Sequence, residues 1–306
     1  MNVNSIKPNS LEAWLIAIRP KTFGVAVAPV FAAIAISLSD TGHFYPVTAT
    51  LTVVLAILMQ AITNMENDAG YTKRKAERTN RKGLPRATSL GLLSVNSVEN
   101  AIKILALVAL LITGYFIYLT EWFFLAITVF SVAAAYLYMG GPKPIAYTPF
   151  GELTVLIFFG LVATCGTYYL QQQTLSWYVV VVSIALGLIA SAVLCVNNFR
   201  DRIHDASIGR KTLCVVLGKR KALATYKLMI FMPYILIVSM VVIDPTRYPY
   251  LLVLATLPKA APLPKQLELL NGEALNNTLF ATVKLEVTFA LSLTLGALLH
   301  ASILWL

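Results

Sequence analysis

Asparagine and aspartate side chains cluster at the end of a long apolar stretch in the second half of the sequence. Asn197, Asp201 and Asp205 recur at every fourth position, so on a helix they would lie along one stripe. Two carboxylates and an amide oxygen that face the same way form an all-oxygen donor set, the kind that Mg2+ prefers. Because carboxylates at membrane depth are costly unless they bind something, we interpret these three residues as candidate metal ligands.

Basic side chains lie within and just after this cluster. Arg200 stands inside it, and Gly209-Arg210-Lys211-Thr212 adds two cations and a hydroxyl. Carboxylates that hold a metal beside Lys and Arg fit a magnesium–diphosphate ligand, because the metal bridges acid groups to phosphate oxygens. The alternative is a solvated loop in which the Asp and Arg side chains pair with one another.

A similar polar cluster lies in the first half of the chain. An apolar stretch there ends in Asn64-Met65-Glu66-Asn67-Asp68, and Asn64 and Asp68 would share a helical stripe. Asp68 and Asp201 are separated by nearly half the chain length, and a strongly basic segment follows each of them. This spacing predicts two related halves, each presenting polar groups where a helix leaves the membrane.

The composition indicates that most of the chain lies in a bilayer. Of the 306 residues 58% are hydrophobic and 12% are charged, with a mean hydropathy of +0.74. Soluble domains are about a quarter charged, so these values exclude a soluble globular protein, a disordered chain and a disulfide scaffold. The three cysteines show no paired spacing, and we interpret them as inert, buried packing residues that serve neither redox chemistry nor a metal site.

Uncharged runs divide the sequence into membrane-spanning segments. A spanning helix needs about 20 apolar residues, and the candidate runs are 22–39, 41–65, 104–120, 122–142, 153–199, 228–243 and 287–306. The run 153–199 is long enough for two helices with a turn at Gln171-Gln172-Gln173. Tyr248–Leu257 is a weaker candidate, either a span or a re-entrant or surface piece. The sequence therefore predicts an all-α integral membrane bundle of about nine transmembrane helices, as a single domain over 1–306.

The net charge of +10 is distributed as in a membrane protein, and it does not indicate a nucleic-acid partner. Seven basic residues fall within 73–86 and seven within 200–221, and a nine-span chain places both segments on one side. Since loops rich in Lys and Arg stay in the cytoplasm, the N-terminus and both segments are predicted to be cytoplasmic, in a bacterial-type inner membrane. Arg247 is left as the lone basic residue on the opposite side.

Several stretches together resemble the UbiA-type intramembrane prenyltransferases, most closely the branch that prenylates 1,4-dihydroxy-2-naphthoate in menaquinone synthesis. The second polar cluster looks like the second aspartate-rich motif of that family: Asn197-Asn198-Phe199-Arg200-Asp201, Asp205, Gly209-Arg210-Lys211-Thr212 and Leu217-Gly218. Supporting similarities run over Trp14 to Phe23, Gly141 to Glu152, Gly166 to Gln171 and Thr282 to Glu286. The resemblance covers most of the chain.

This resemblance implies nine transmembrane helices around a central cavity that opens to the cytoplasmic side. Two aspartate-rich motifs would hold a polyprenyl diphosphate through Mg2+, and an electron-rich aromatic acceptor would attack the allylic carbocation. In the naphthoate branch the ring also loses its carboxylate. The implied metal ligands are Asn64, Asp68, Asn197, Asp201 and Asp205. We predict Asp68, Asp201, Asp205 and Lys211 as catalytic residues. The predicted diphosphate-binding residues are Asn67, Lys75, Arg86, Arg200, Arg210 and Lys211.

The chain departs from the family in its first motif. The usual pattern is Asn-Asp-x-x-Asp-x-x-x-Asp; Asn67 and Asp68 match it, but Tyr71 and Lys75 stand at the two later acidic positions. On a helix continued past Asp68, Tyr71 and Lys75 would face the same way. This departure has three interpretations. Lys75 replaces part of the metal's charge on the diphosphate, the acceptor or the reaction has changed, or the activity is lost. We favour the first two because the second motif is complete.

The candidates for the acceptor site or the cavity are Arg19, Lys21, Tyr71, Tyr147 and Glu152. Arg19 and Lys21 either face the diphosphate or an acidic acceptor, or they are ordinary cytoplasmic anchors. Tyr147 either flanks the carbocation, which an aromatic face stabilises, or lies at the membrane interface. Glu152, as a base or an orienting group, is supported by the resemblance alone.

Other functions stay open at the level of sequence. A prenyltransferase with another acceptor, or a terpene cyclase, would use the same carbocation. Two related halves with polar groups at broken helices would also suit a transporter. Transporter sites lie near the bilayer midplane, however, whereas these acidic groups lie at helix ends.

The basic segments give a test of topology. A reporter fused after Asn80 should report the cytoplasmic side, and one fused after Leu306 the opposite side, because an odd number of predicted spans separates the two positions. Fusions to a fluorescent protein and to a periplasmic phosphatase would measure this. The same side for both fusions would contradict the nine-span arrangement.

Overall fold

The computed structural model describes residues 6–76 and 83–305, and within these ranges the regular elements are helices and no strand occurs. This confirms the all-α prediction. The α-helices are α1 (Leu11–Ile18), α2 (Phe23–Thr41), α3 (Pro46–Lys73), α4 (Val95–Leu119), α5 (Phe123–Met139), α6 (Gly151–Val155), α7 (Gly166–Gln172), α8 (Trp177–Ser207), α9 (Leu213–Ile243), α10 (Leu257–Ala260), α11 (Leu263–Leu269) and α12 (Leu275–Trp305). A π-helix, Leu156–Cys165, joins α6 to α7, and a 3-10 helix, Pro245–Thr256, precedes α10.

Among the described residues, seven helical segments are long and apolar enough to cross a membrane, which confirms an integral membrane protein. They are Leu11–Thr41, Pro46–Lys73, Val95–Leu119, Gly151–Gln172, Trp177–Ser207, Leu213–Ile243 and Gly272–Leu304. The helix α5 is apolar but shorter, with 17 residues. The weak candidate Tyr248–Leu257 falls mostly in the 3-10 helix and not in a long α-helix. The predicted count of nine spans is therefore approximate.

The long uncharged run 153–199 forms two helices, as predicted. The first ends at Gln172, and Gln173 adopts a left-handed conformation with φ 54° that turns the chain. The next helix, α8, starts at Trp177. The polar glutamines thus lie at the turn between two spans.

Two compact units divide the chain: Met1–Phe23 with Ile57–Thr148, and Gly24–Ala56 with Pro149–Leu306. A single domain over 1–306 stays a prediction. In the first unit, the buried core includes Ala13 and Ala17 of α1, Met65 of α3 and Val98 of α4. Ser94 starts α4, because its hydroxyl accepts a hydrogen bond from an otherwise unpaired amide of the first turn.

The helix α8 is central to the second unit, where it packs on α9, α12 and the π-helix. Its residues Leu186, Ile189, Val196 and Phe199 are almost completely buried. Because most of the apolar part of this helix is buried against neighbouring helices, packing fixes the position of the polar residues near its C-terminal end.

Two glycines allow the π-helix to approach α8 closely. A Cβ atom at Gly160 would lie 2.5 Å from the carbonyl oxygen of Ser183 and 2.7 Å from the Cα of Gly187. Both of those atoms belong to the backbone, so they cannot move aside as a side chain would. Small residues that let helix backbones touch are a common packing device in membranes.

Replacing Gly160 with alanine should therefore destabilise the second unit. We expect Gly160→Ala to lower the unfolding free energy by about 1–3 kcal/mol, the usual cost of overpacking. Thermal unfolding in detergent measures the change. Gly166→Ala is the matched control in the same span, since outside its own stretch of helix no atom of the described residues lies within 4 Å of the added methyl group. Equal stability of both variants would contradict the close contact.

Candidate functional site

The second aspartate-rich motif lies at the C-terminal end of α8. This helix continues without interruption to Ser207, so Asn197, Asp201 and Asp205 share one helical stripe. Asp205 is buried at 1% exposure, and Asp201 and Asn197 are partly buried. The structure thus brings together the three predicted metal ligands of the second half, on one rigid element.

The guanidinium group of Arg200 lies among the oxygens of this motif. It donates hydrogen bonds to Asn197 Oδ1 and Asn276 Oδ1, each at 2.6 Å, and pairs with the Asp201 carboxylate. Asn276 belongs to the first turn of α12, and sequence reasoning did not identify it as a site residue. Arg200, predicted to bind diphosphate, is thus held by the motif's own oxygens. Its role toward diphosphate stays a prediction.

A tight turn after α8 pairs Asp205 with Arg210. Gly209 has φ +76°, a conformation that glycine adopts without strain, and it lets the Arg210 amide reach the Asp205 carbonyl at 2.8 Å. Arg210 Nη1 then donates to Asp205 Oδ1, also at 2.8 Å. Both side chains are buried, so this is not the solvated pair that the alternative interpretation supposed. The neighbouring Lys211 is exposed.

Glu152 joins the same part of the second unit from the first turn of α6. Asn198 Nδ2 donates to its carboxylate oxygen Oε1 at 2.9 Å, and the Ser191 hydroxyl donates to its backbone carbonyl at 2.7 Å. The side chain is buried at 2% exposure. Glu152 is therefore held in place by Asn198, which follows the predicted metal ligand Asn197 in the sequence. Its predicted contact with the acceptor is untested.

The donor set of the second motif fits Mg2+. It offers the amide oxygen of Asn197 and the carboxylates of Asp201 and Asp205, and hard oxygen ligands of this kind suit the ion. Asp205 Oδ2 is buried and accepts no hydrogen bond from the described residues. A buried carboxylate oxygen without a partner is costly, and a bound cation would satisfy it.

Asp68 of the first motif, in contrast, is engaged by hydrogen bonds within its own unit. Its two carboxylate oxygens accept hydrogen bonds from the backbone amides of Ala87 and Thr88, each at 2.8 Å, and from the Thr88 hydroxyl. The side chain is completely buried. Asp68 thereby fixes the backbone that carries the preceding residue, Arg86. Its assignment as a catalytic residue and metal ligand stays a prediction.

Tyr71, at the first lost acidic position, packs against Arg86. The Arg86 guanidinium carbon lies 3.3 Å from the centroid of the Tyr71 ring, and both residues are buried. Arg86 Nη2 also lies 3.5 Å from Asn67 Oδ1. The structure therefore brings together three predicted residues, Asn67, Tyr71 and Arg86, around one cation. A buried cation–π contact of this kind is worth up to about 2 kcal/mol.

Lys75 does not share a helix face with Tyr71, so that prediction was wrong. The helix α3 ends at Lys73, and Lys75 turns the chain with φ 51°. The amides of Lys75 and Ala76 return to the carbonyls of Thr72 and Tyr71, which is the pattern of a Schellman helix end. Lys75 is exposed, whereas Tyr71 is buried. Of the basic residues within 73–86, Arg78, Arg81 and Lys82 lie outside the described residues.

Asn64 connects α3 to the turn that follows α1. Its amide nitrogen donates to the Ile18 carbonyl at 2.8 Å and to the Thr22 hydroxyl at 3.0 Å. Within that turn Arg19 is half-buried and Lys21 is exposed. The amide nitrogen of Asn64 thus has a structural role, while its predicted role as a metal ligand through the oxygen is untested.

Tyr147 ends a short 3-10 helix, Ile145–Tyr147, in the first unit. The guanidinium carbon of Arg74 lies 5.5 Å from its ring centroid, and Arg74 Nε donates to the Met139 carbonyl at 2.8 Å. The ring is half-buried and next to a cation. Its predicted place beside the carbocation is untested.

Glu286 is a candidate functional residue that sequence reasoning did not select. It lies on α12 with no exposed surface, and neither carboxylate oxygen has a hydrogen-bond partner among the described residues. An ionisable side chain inside a membrane span is a functional candidate by default. The sequence does contain a signal for Glu286. It is an acid immediately before the last apolar run, within the stretch Thr282 to Glu286 that resembles the family.

Known proteins are similar to this chain over most of its length. The sequence model of the UbiA prenyltransferase family matches residues 26–272. The 1,4-dihydroxy-2-naphthoate octaprenyltransferase of Haemophilus influenzae is 33% identical over 219 residues, which are 69% of this chain and 71% of that protein. The 2-carboxy-1,4-naphthoquinone phytyltransferase of Synechocystis is 27% identical over 264 residues, which are 85% of this chain and 83% of that one.

A solved structure shows the same fold. A UbiA homologue from Archaeoglobus fulgidus bound to GPP and Mg2+ matches with a TM-score of 0.67 and 15% identity, covering 92% of this chain and 99% of that one. The family match, the similar relatives and the second motif on α8 lead to one conclusion. This chain belongs to the UbiA prenyltransferase family of membrane enzymes.

Proposed function

We propose that this enzyme transfers a polyprenyl group from a polyprenyl diphosphate to 1,4-dihydroxy-2-naphthoate. The relatives named as 1,4-dihydroxy-2-naphthoate octaprenyltransferases support the acceptor. The observation that carries the reaction type is the complete second motif, in which a buried carboxylate oxygen of Asp205 has no hydrogen-bond partner among the described residues.

The reaction breaks the bond between the allylic carbon and the diphosphate oxygen, and the electron pair leaves with diphosphate. An electron pair of the aromatic ring then forms the new carbon–carbon bond. The ring carbon that gains the prenyl group loses its carboxylate as CO2, whose bonding electrons restore the aromatic ring. The charge that develops on the departing diphosphate is the part of this reaction that protein cations can stabilise.

Residues of the second unit would hold the diphosphate. Asn197, Asp201 and Asp205 would hold Mg2+, which supplies neutralisation of the phosphate charge when bound. The homologue described as bound to GPP and Mg2+ supports this ion. Arg210 is already held beside Asp205, so its charge is preorganised and costs little reorganisation during ionisation.

The exposed Lys211 and the partly buried Arg200 would contribute further positive charge to the diphosphate. Arg200 can do so because two of its present partners, Asn197 and Asp201, would bind the metal through the same oxygens, while Asn276 still holds its guanidinium group. Glu152 stays a proposed acceptor-orienting group, held in place by Asn198.

The first unit would contribute basic side chains to the diphosphate. Its motif lacks two of the acidic residues that are usual in the family. Arg86 and Asn67 stay proposed diphosphate ligands, and Tyr71 holds the Arg86 guanidinium by its aromatic face. Lys75, which is exposed beyond the end of α3, stays a proposed contact of the same kind. Arg19, Lys21 and Tyr147 stay proposed for the acceptor site or the cavity.

The enzyme would act in a bacterial-type inner membrane, with its polar residues open to the cytoplasmic side. The apolar spans and the two basic segments support this location. A polyprenyl tail among apolar side chains would keep water away from the carbocation.

The proposed reaction is tested with the full chain purified in detergent. We expect Mg2+-dependent formation of a prenylated 1,4-naphthalenediol, with release of diphosphate and CO2, from a radiolabelled polyprenyl diphosphate and 1,4-dihydroxy-2-naphthoate. Asp201→Ala and Asp205→Ala should each lower kcat by about 100-fold or more, because each removes charge from the metal clamp.

Glu273→Ala is the control, since Glu273 is an exposed acid of the same unit. Near-normal turnover in both aspartate variants would rule out the assignment of the second motif. Diphosphate release with another aromatic ring, but none with the naphthoate, would keep the prenyltransferase and reject this acceptor.

The contact between Tyr71 and Arg86 gives a separate test. Tyr71→Leu should raise the KM for the prenyl diphosphate by about 2- to 30-fold, the range that corresponds to losing a cation–π contact. Tyr71→Phe keeps the aromatic face and should stay close to the wild type. Steady-state kinetics at saturating acceptor measure both variants. Equal effects from the two substitutions would show that the ring does not position Arg86.

A further inference from the structure

Three buried side chains that commonly bind metals meet beside the second motif in the second unit. Glu152, Cys195 and Cys214 each offer a ligand atom, and these atoms all lie within 4.8 Å of one another. None of the three residues is more than 2% exposed. They come from α6, from the interior of α8 and from the first turn of α9, so the fold itself assembles the cluster.

The distance between the two sulfur atoms matches a shared metal ion. Cys195 Sγ and Cys214 Sγ are 3.8 Å apart. Two thiolates bound to a tetrahedral zinc ion, each at about 2.3 Å, would be about 3.8 Å apart. A disulfide bond would need about 2.05 Å, and both cysteines are free in the structure.

Glu152 supplies a third donor that is already oriented. Its Oε1 atom is held by Asn198, while its Oε2 atom is buried and accepts no hydrogen bond from the described residues. An unpaired buried carboxylate oxygen is costly, and a cation would remove that cost. In protein metal sites, a hydrogen bond to the other oxygen of a metal-binding carboxylate typically orients that group.

We propose that Cys195, Cys214 and Glu152 bind one zinc ion. Each thiol releases its proton to solvent on binding, so two thiolates and a carboxylate surround the dication. A water molecule would complete the tetrahedron, as in sites with three protein ligands. This site is distinct in chemistry from the motif's oxygen ligands, because sulfur donors select zinc over Mg2+.

The ion would stabilise the turn that carries Arg210. Cys195 precedes that turn on α8, and Cys214 follows it at the start of α9. Binding both thiolates to one ion closes this segment into a loop and restricts the unfolded chain. Zinc would therefore raise the thermal stability of the second unit, whether or not prenyl transfer is the reaction.

The experiment measures metal content, so it does not depend on the proposed activity. The full chain is produced in zinc-supplemented cells, purified under reducing conditions, washed with excess Mg2+, and analysed by elemental mass spectrometry. We expect about one zinc ion per chain, as for a single tetrahedral site. Production in cobalt-supplemented medium should give the intense thiolate-to-cobalt charge-transfer absorption in the near ultraviolet.

Variants identify the ligands. Cys195→Ser with Cys214→Ser should abolish the zinc and the charge-transfer absorption, and Glu152→Gln should lower zinc retention during the wash. Cys165→Ser is the matched control, because Cys165 lies in the same unit but outside the cluster. The cobalt spectrum of the wild type stays informative even if the double serine variant does not fold.

Three results would overturn the proposal. The wild type could hold no more zinc than the double serine variant, or its cobalt form could lack thiolate charge transfer. Cys165→Ser could also lose as much metal as the cluster variants.

Discussion

A charged side chain at the end of an apolar helix must be compensated locally, and the organisation of both motifs follows from this constraint. An ion taken out of water loses several kcal/mol of solvation, which only excellent partner geometry returns. In the second unit Asp205 is compensated by Arg210, and the left-handed Gly209 makes that return of the chain possible. In the first unit Asp68 is compensated by the amides of Ala87 and Thr88.

These two ways of compensating a buried carboxylate leave the motifs with different abilities to bind a cation. The Arg210 guanidinium occupies one oxygen of Asp205 and leaves Oδ2 available, so this motif can still take a metal. Asp68 has hydrogen bonds on both oxygens, and Tyr71 has replaced the next acid. The Tyr71 ring lies against the Arg86 guanidinium group. Arg86 therefore has a contact with this position even though the acid is absent. Loss of an acid and retention of a held arginine are thus compatible in this half.

Periodicity and charge predicted the features that depend on local sequence. The turn at the glutamines follows from the length of one uncharged run, and the stripe of Asn197, Asp201 and Asp205 follows from four-residue spacing on an unbroken helix. The end of α3 was not predictable, because a lysine, Lys75, adopts the left-handed conformation that glycine usually signals. The partners of Asn64 and Glu152 were not predictable either. They come from residues distant in sequence, which spacing rules cannot bring together.

Charged side chains lie near both ends of α8, with Arg247, the lone basic residue on the predicted outer side, near its start. Arg247 donates to Asp244 at 3.0 Å and to Asp40 at 3.3 Å, and its guanidinium carbon lies 3.4 Å from the ring centroid of Tyr178, at the start of α8. Asp205 and Arg210 form the ion pair at the other end of the same helix. From Trp177 to Phe199 the helix carries no charge, and at 1.5 Å per residue this length of about 34 Å matches a bilayer core. Charged contacts therefore lie at both ends of the uncharged part of α8, and the second motif lies at a helix end and not at mid-helix, where a transporter site is expected.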